Sequence, residues 1–172
     1  MIFVGGPSGT GKTTAISRFV GHHPQFHHIK ASDVLRQQNR PVENLSPREL
    51  EENQVILEKY LRSVALAGII VDGHAVIPTS AGLYHVSSAF FRSVQFRAMI
   101  FLWEDPEVVA SRKGHPVSGS LIREITSVQS SEASHMQRIS RELGIKNFSI
   151  RSSAWTEIED TLLQICGGRP GS

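Results

Sequence analysis

Apolar positions fall into two rhythms along the chain. Short apolar runs at residues 2–4, 69–72 and 97–102, and more mixed short stretches at 26–31 and 146–150, each predict a strand. Between them, apolar residues recur at helical spacing. Ala15, Ile16, Phe19 and Val20 mark a helix over 12–20 that ends at Gly21, and Leu50, Leu57, Leu61 and Val64 mark one over 47–67. Ser46-Pro47-Arg48-Glu49 reads as a capping box with proline at the first helical position. Asp105-Pro106 opens a helix to Arg112, a long helix spans about 120–143 and stops at Gly144, and Ile158, Leu162, Leu163 and Ile165 define a last one behind a Ser153 cap. Ser32-Asp33 caps a short helix over 34–38, and 87–94 is a short amphipathic helix or ordered loop. Strands alternating with helices predict an α/β fold: a five-stranded parallel sheet with helices on both faces, in one domain spanning 1–172.

The first strand runs straight into Gly6-Pro7-Ser8-Gly9-Thr10-Gly11-Lys12-Thr13-Thr14. Gly6 to Thr13 satisfies G-x-x-x-x-G-K-[ST] in its required strand–loop–helix setting. Glycines let the backbone curl with its N–H groups inward, so loop and helix start form a concave anion site suited to phosphates. Lys12 reaches the terminal phosphates, and the Thr13 hydroxyl is placed to complete a Mg²⁺ shell. The run Ile69-Ile70-Val71 is apolar throughout, as in a central strand buried on both faces, and ends in Asp72. A carboxylate at that end of a parallel strand faces the ligand crevice, so Asp72 is expected to orient Mg²⁺, partly through water. The stretch 73–84 is too apolar for solvent and too rich in Gly and Pro for a helix; it is expected to be a loop lining a pocket.

Composition narrows the class. The chain has 172 residues, 40% hydrophobic and 20% charged, with a formal net charge of +2, which fits a globular domain and excludes disorder or a strongly cationic nucleic-acid binder. Nucleic-acid binding has only the eight histidines and a pI near 8.9 behind it. His22, His23, His27 and His28 crowd one segment, but no cysteine or carboxylate nearby in sequence completes a metal set, so 21–28 reads as a solvated loop. The lone Cys166 excludes an internal disulfide, no charged leader precedes the first strand, and no apolar run spans a bilayer; the expectation is a cytoplasmic protein.

The order of these motifs resembles the nucleoside monophosphate kinases of the P-loop class, and most closely the archaeal-type adenylate kinases. The resemblance carries Gly6 to Thr13 as the ATP loop and Ser32-Asp33-Val34-Leu35-Arg36 as the entry to the acceptor pocket within a short insertion over about 32–67. It implies a three-layer P-loop NTPase fold, ATP as co-substrate with Mg²⁺, and transfer of the γ-phosphoryl group to a monophosphate, AMP first. By the same resemblance Arg36 holds the acceptor phosphate, Asp33 either orients the acceptor or only caps its helix, and His74, Thr79 and Gly82 surround the acceptor. Arg112 and Lys113 stabilise the migrating charge, and Arg151 passes the adenine. The lid, about 112–123, is reduced to Lys113 and His115, and Glu132 stands where the family has an arginine. A carboxylate cannot replace an arginine beside phosphate. That departure keeps a rival open, an ATP-dependent accessory or switch protein with slow hydrolysis that controls a protein partner.

Overall fold

The computed structural model describes residues 1–114 and 117–167. In chain order its strands are β1 (Ile2–Gly5), β2 (His27–Lys30), β3 (Ile69–Asp72), β4 (Val76–Thr79), β5 (Gly82–His85), β6 (Ala98–Trp103) and β7 (Lys146–Arg151). Its helices are α1 (Lys12–His22), α2 (Ala31–Gln37), α3 (Pro47–Ser63), α4 (Ser88–Val94), α5 (Pro106–Arg112), α6 (Gly119–Leu143) and α7 (Trp155–Cys166). Five strands form one parallel sheet in the order β2-β3-β1-β6-β7, as expected.

Side-chain alternation along β1 shows why both faces are covered. Ile2 and Val4 pack with Ile16 and Phe19 of α1 and with Ile158 and Leu162 of α7. Phe3 points the other way, into a cluster with Leu57 of α3, Phe91 of α4 and Met136 of α6, and its ring meets the Phe91 ring edge-on at 5.0 Å. A strand buried on both sides is apolar along its length, as β1 and β6 are and as β3 is up to the Asp72 that ends it. No described helix is long and apolar enough to cross a membrane.

Several boundaries differ from the sequence reading, each for a local reason. Helix α1 continues through Gly21 to His22, because an isolated glycine costs a helix only about 1 kcal/mol and this turn is carried by the packing of Phe19. The histidine-rich segment is not a loop throughout. His27 and His28 belong to β2, an edge strand that needs only backbone pairing with β3 and tolerates polar residues. Ser32 and Asp33 lie inside α2 rather than capping it, and Lys30 takes the N-cap position without a side-chain bond. The capping box at Ser46 and Glu49 forms as predicted, but α3 ends at Ser63, four residues short of the expected end at 67. Within the stretch 73–84 expected as loop, residues from Val76 on form the β4–β5 antiparallel hairpin, which runs to His85. Ser153 does not cap α7, which starts after Ala154 with no side-chain cap. His115 lies outside the described residues.

Candidate active site

The loop after β1 is shaped by its glycines. Gly6, Gly9 and Gly11 all have positive φ, and a Cβ on Gly6 would stand 2.2 Å from the Leu102 carbonyl oxygen of β6. Thr10 closes the turn, its hydroxyl donating to the Pro7 carbonyl at 2.9 Å. Helix α1 begins at Lys12 with no side-chain cap, so its first amides face the concavity together with the loop. Lys12 is 6% exposed, and its Nζ donates to the carbonyls of Gly6 and Pro7. Burial lowers its pKa, against the attraction of Asp72 and Glu132. The result is a concentrated positive surface suited to a polyanion.

Beside it, at the end of the neighbouring strand, the Thr13 hydroxyl donates to Asp72 Oδ2 at 2.6 Å. The pairing of β1 with β3, which sets Val4 opposite Asp72, brings them together. His28 Nε2 lies 3.5 Å from the same carboxylate oxygen. Burial works to raise the Asp72 carboxyl, but His28, Lys12 and Thr13 together hold it below its ordinary value, so it is ionised at neutral pH. A hydroxyl and an ionised carboxylate converging beside an anion cradle are the hard oxygen donors that Mg²⁺ takes, so these residues fit that ion. Among the described residues no group of three or more His, Cys, Asp or Glu could hold a metal ion.

Glu132 is placed otherwise than the sequence suggested. It does not stand at a lid, short of an arginine's charge; it is 0% exposed inside α6, directly under the loop. Its Oε1 accepts from the Gly6 amide at 3.0 Å and from the Ala75 amide at 2.8 Å, while Oε2 is buried with no hydrogen-bond partner. Burial raises its pKa to about 7, opposed by Lys12 and by the amides of Ala75, Gly6 and Val76. An arginine could not accept either bond, so Glu132→Arg would break the loop rather than restore charge to it.

The loop opens into a cavity of about 450 Å³, within the range of small-molecule sites. On the loop side it is bordered by Ser8, Gly9, Gly11, Thr13 and Thr14, with Arg112 at the rim. On the far side its wall is largely apolar: Leu35 of α2, Val42 and Leu45 of the following connection, Leu50 and Leu57 of α3, Ile77 and Phe90. That connection is anchored by Arg40, which donates to Asn53 Oδ1 at 2.9 Å, and by Asn53, which donates to the Pro41 carbonyl at 2.8 Å. Asn53, Gln54 and Lys30 also border the cavity, and the sequence reading missed all three. The first two look like exposed helix polarity, and Lys30 like the end of a strand.

His74 borders the cavity as expected. Its ring is open to the cleft, though protein crowds around it; burial, then the Lys12 charge, lowers its pKa, and it is neutral at pH 7. Thr79 and Gly82 do not border the cavity. They close the hairpin turn, Thr79 Oγ1 donating to the Gly82 carbonyl at 2.9 Å. Arg36 does not border it either, and donates instead to Asp33 at 2.9 Å and Ser32 at 3.3 Å on the exposed side of α2. Arg112 donates to the Thr10 carbonyl at 3.0 Å, and the Lys113 stem lies over Gly9, so both cations sit at the loop. Arg151 is held by Glu104 at 2.7 Å and by Asp105. Glu104 is 2% exposed and also accepts from Ser152 at 3.1 Å; the polar end of the β6 apolar run is the one sign of it in the sequence.

Sheet order, loop and Asp72 define an α/β P-loop NTPase fold. Residues 5–129 match the family model described as an AAA domain (AAA_17), and the chain belongs to that family. No curated protein matches its sequence. Among solved structures it is similar to a gluconokinase from Sinorhizobium meliloti 1021, with 16% identity, a TM-score of 0.57 and coverage of 96% of this chain and 90% of that one. It is also similar to an unliganded sugar kinase from Janibacter sp. HTCC2649, with 14% identity, a TM-score of 0.60 and coverage of 98% and 95%. Likeness at this identity establishes the shared fold.

Proposed function

We propose that this protein is a phosphotransferase that moves the γ-phosphoryl group of Mg-ATP to a nucleoside monophosphate, with AMP the first candidate. One observation carries the choice of acceptor. Asp72 is the single carboxylate bordering the cleft among the described residues, and Thr13 and His28 already engage it. An alcohol acceptor such as a sugar needs a base to take its proton, whereas a phosphate oxygen arrives ionised. His74 is a poor base here, because its surroundings resist protonation. The apolar wall favours the same choice, since a polyol would leave hydroxyls unpaired against leucine and phenylalanine while a nucleobase presents a flat apolar face.

In this reading the loop amides and Lys12 hold the ATP phosphates, and Arg112 and Lys113 meet the charge that spreads over the migrating group. Thr13 and Asp72 would hold Mg²⁺, which supplies charge neutralisation to the phosphate oxygens when bound. The test is product analysis with γ-labelled ATP, Mg²⁺ and, separately, each nucleoside monophosphate and gluconate. Label on the β-phosphate of a nucleoside diphosphate is expected. Label on gluconate alone would overturn the reading, and ADP release at a rate indifferent to any acceptor would replace it with the accessory-ATPase reading.

A further inference from the structure

Lys30 closes β2 at the carboxyl edge of the sheet, opposite Asp72 in the β2–β3 register, and borders the cavity where the loop side gives way to the apolar wall. Among the described residues it has no ion-pair or hydrogen-bond partner. It is close enough to Lys12 to act on it as a second positive charge, so the fold keeps two repelling ammonium groups facing one cleft. An anion between loop and wall relieves that repulsion. Arg36 has a different setting: it does not border the cavity, and its half-exposed guanidinium is already engaged by Asp33 and by Ser32, of which Ser32 borders the cavity.

We infer that Lys30, and not Arg36, reads the anionic group of the acceptor, and that the site selects an acceptor made of one flat apolar body and one anionic group over its uncharged counterpart. The inference rests on the proposed acceptor class and adds the residue that enforces it. A lysine suits this place, because a flexible four-carbon stem can cover apolar surface while the ammonium meets the phosphate as a point charge.

Equilibrium binding of AMP and of adenosine tests it, on the full chain carrying Mg²⁺ and a non-hydrolysable ATP analogue. The parent should prefer AMP over adenosine by about tenfold to hundredfold, the range of one charge-assisted hydrogen bond. Lys30→Gln should bring that ratio close to one with ATP-analogue affinity changed less than about twofold, Lys30→Arg should keep the preference, and Arg36→Gln should leave it intact. Lys30→Met, which keeps the apolar stem, repeats the measurement if the glutamine variant folds poorly. A preference that survives both neutral variants, one that disappears in Arg36→Gln, or a parent that binds adenosine as tightly as AMP would overturn the assignment. The kinase reading is scored separately, by ADP formed from ATP and AMP. An AMP preference that depends on Lys30 without ADP formation would sink the kinase reading and leave Lys30 standing; a parent that binds neither AMP nor adenosine would sink both.

Discussion

Glu132→Gln is the sharpest probe of the buried carboxylate under the phosphate loop. One oxygen, Oε1, accepts both the Gly6 and the Ala75 amides, and Oε2 makes no hydrogen bond of normal geometry although the Val76 amide acts on the carboxylate, so a glutamine can keep both bonds and set its NH₂ where the protonated acid carries its OH. What it removes is the ionisation. Burial holds the folded-state pKa near 7 against an ordinary 4.5. Between those values the folded chain keeps a proton that the unfolded chain has lost, so this group makes stability fall as pH rises through that window. At about 1.4 kcal/mol for each pH unit, the loss amounts to about 3 kcal/mol above pH 7. Parent and variant should therefore unfold with similar stability at pH 5, and the variant should be the more stable by up to about 3 kcal/mol at pH 8, or roughly 6 to 12 °C in midpoint for a chain of this size. Urea titrations at pH 5, 6, 7 and 8 measure the difference. Taking the difference matters, because His74, whose pKa is lowered, contributes the opposite slope in the same range to both proteins. A gap between variant and parent that stays constant from pH 5 to pH 8 would refute the argument.

Two further predictions use the same site. Asp72→Asn should raise the Mg²⁺ concentration needed for half-maximal turnover by about tenfold or more with an unchanged circular dichroism spectrum, because it removes the ionised oxygen that faces Thr13; an unaltered metal requirement would leave Asp72 a purely structural partner of Thr13 and His28. Gly6→Ala should lower stability by more than about 2 kcal/mol or abolish nucleotide binding, since its Cβ meets the Leu102 carbonyl, whereas Gly21→Ala, with nothing within 4 Å of its Cβ and a helical backbone, should gain about 0.5 to 1 kcal/mol; chemical denaturation of the pair decides, and equal effects would count against the packing account.

The legible parts of the fold were those whose signals are local. The glycine spacing and Lys12-Thr13 marked β1, loop and α1, the capping box marked the start of α3, and the continuous apolar runs of β3 and β6 marked strands buried on both faces. The β4–β5 hairpin lacked such a signal. Its strands have four residues each, one carries Pro78, and pairing such as Ile77 with Tyr84 is fixed by packing against α6 and the core. His27 and His28 fell both in the expected strand over 26–31 and in the expected loop over 21–28; the strand holds, because an edge strand tolerates polar residues where its backbone pairs. The Asp33–Arg36 contact was hidden for another reason: residues three apart on a helix reach each other first, and a motif cannot say whether the arginine turns to its neighbour or to a ligand.

Glu132 shows why the functional half of the site resists sequence reading. In the middle of a helix whose neighbours include Gln129, Ser130 and Ser131, a glutamate carries no local mark of burial. Its role comes from where α6 crosses the carboxyl edge of the sheet, which brings one oxygen within reach of the Gly6 amide that opens the phosphate loop and of the Ala75 amide that precedes the β4–β5 hairpin. The parallel sheet sets Gly6, Lys30 and Asp72 side by side at that edge, because all three follow or end strands running in one direction. Lys30 then acts on what lies in the cleft, while Glu132 acts on the shape of both its walls. A change at Lys30 acts chiefly on the anion it faces and only through charge on Lys12, whereas a change that breaks the Glu132 bonds loosens loop and hairpin together. The two residues thus separate the recognition of charge from the geometry that presents it.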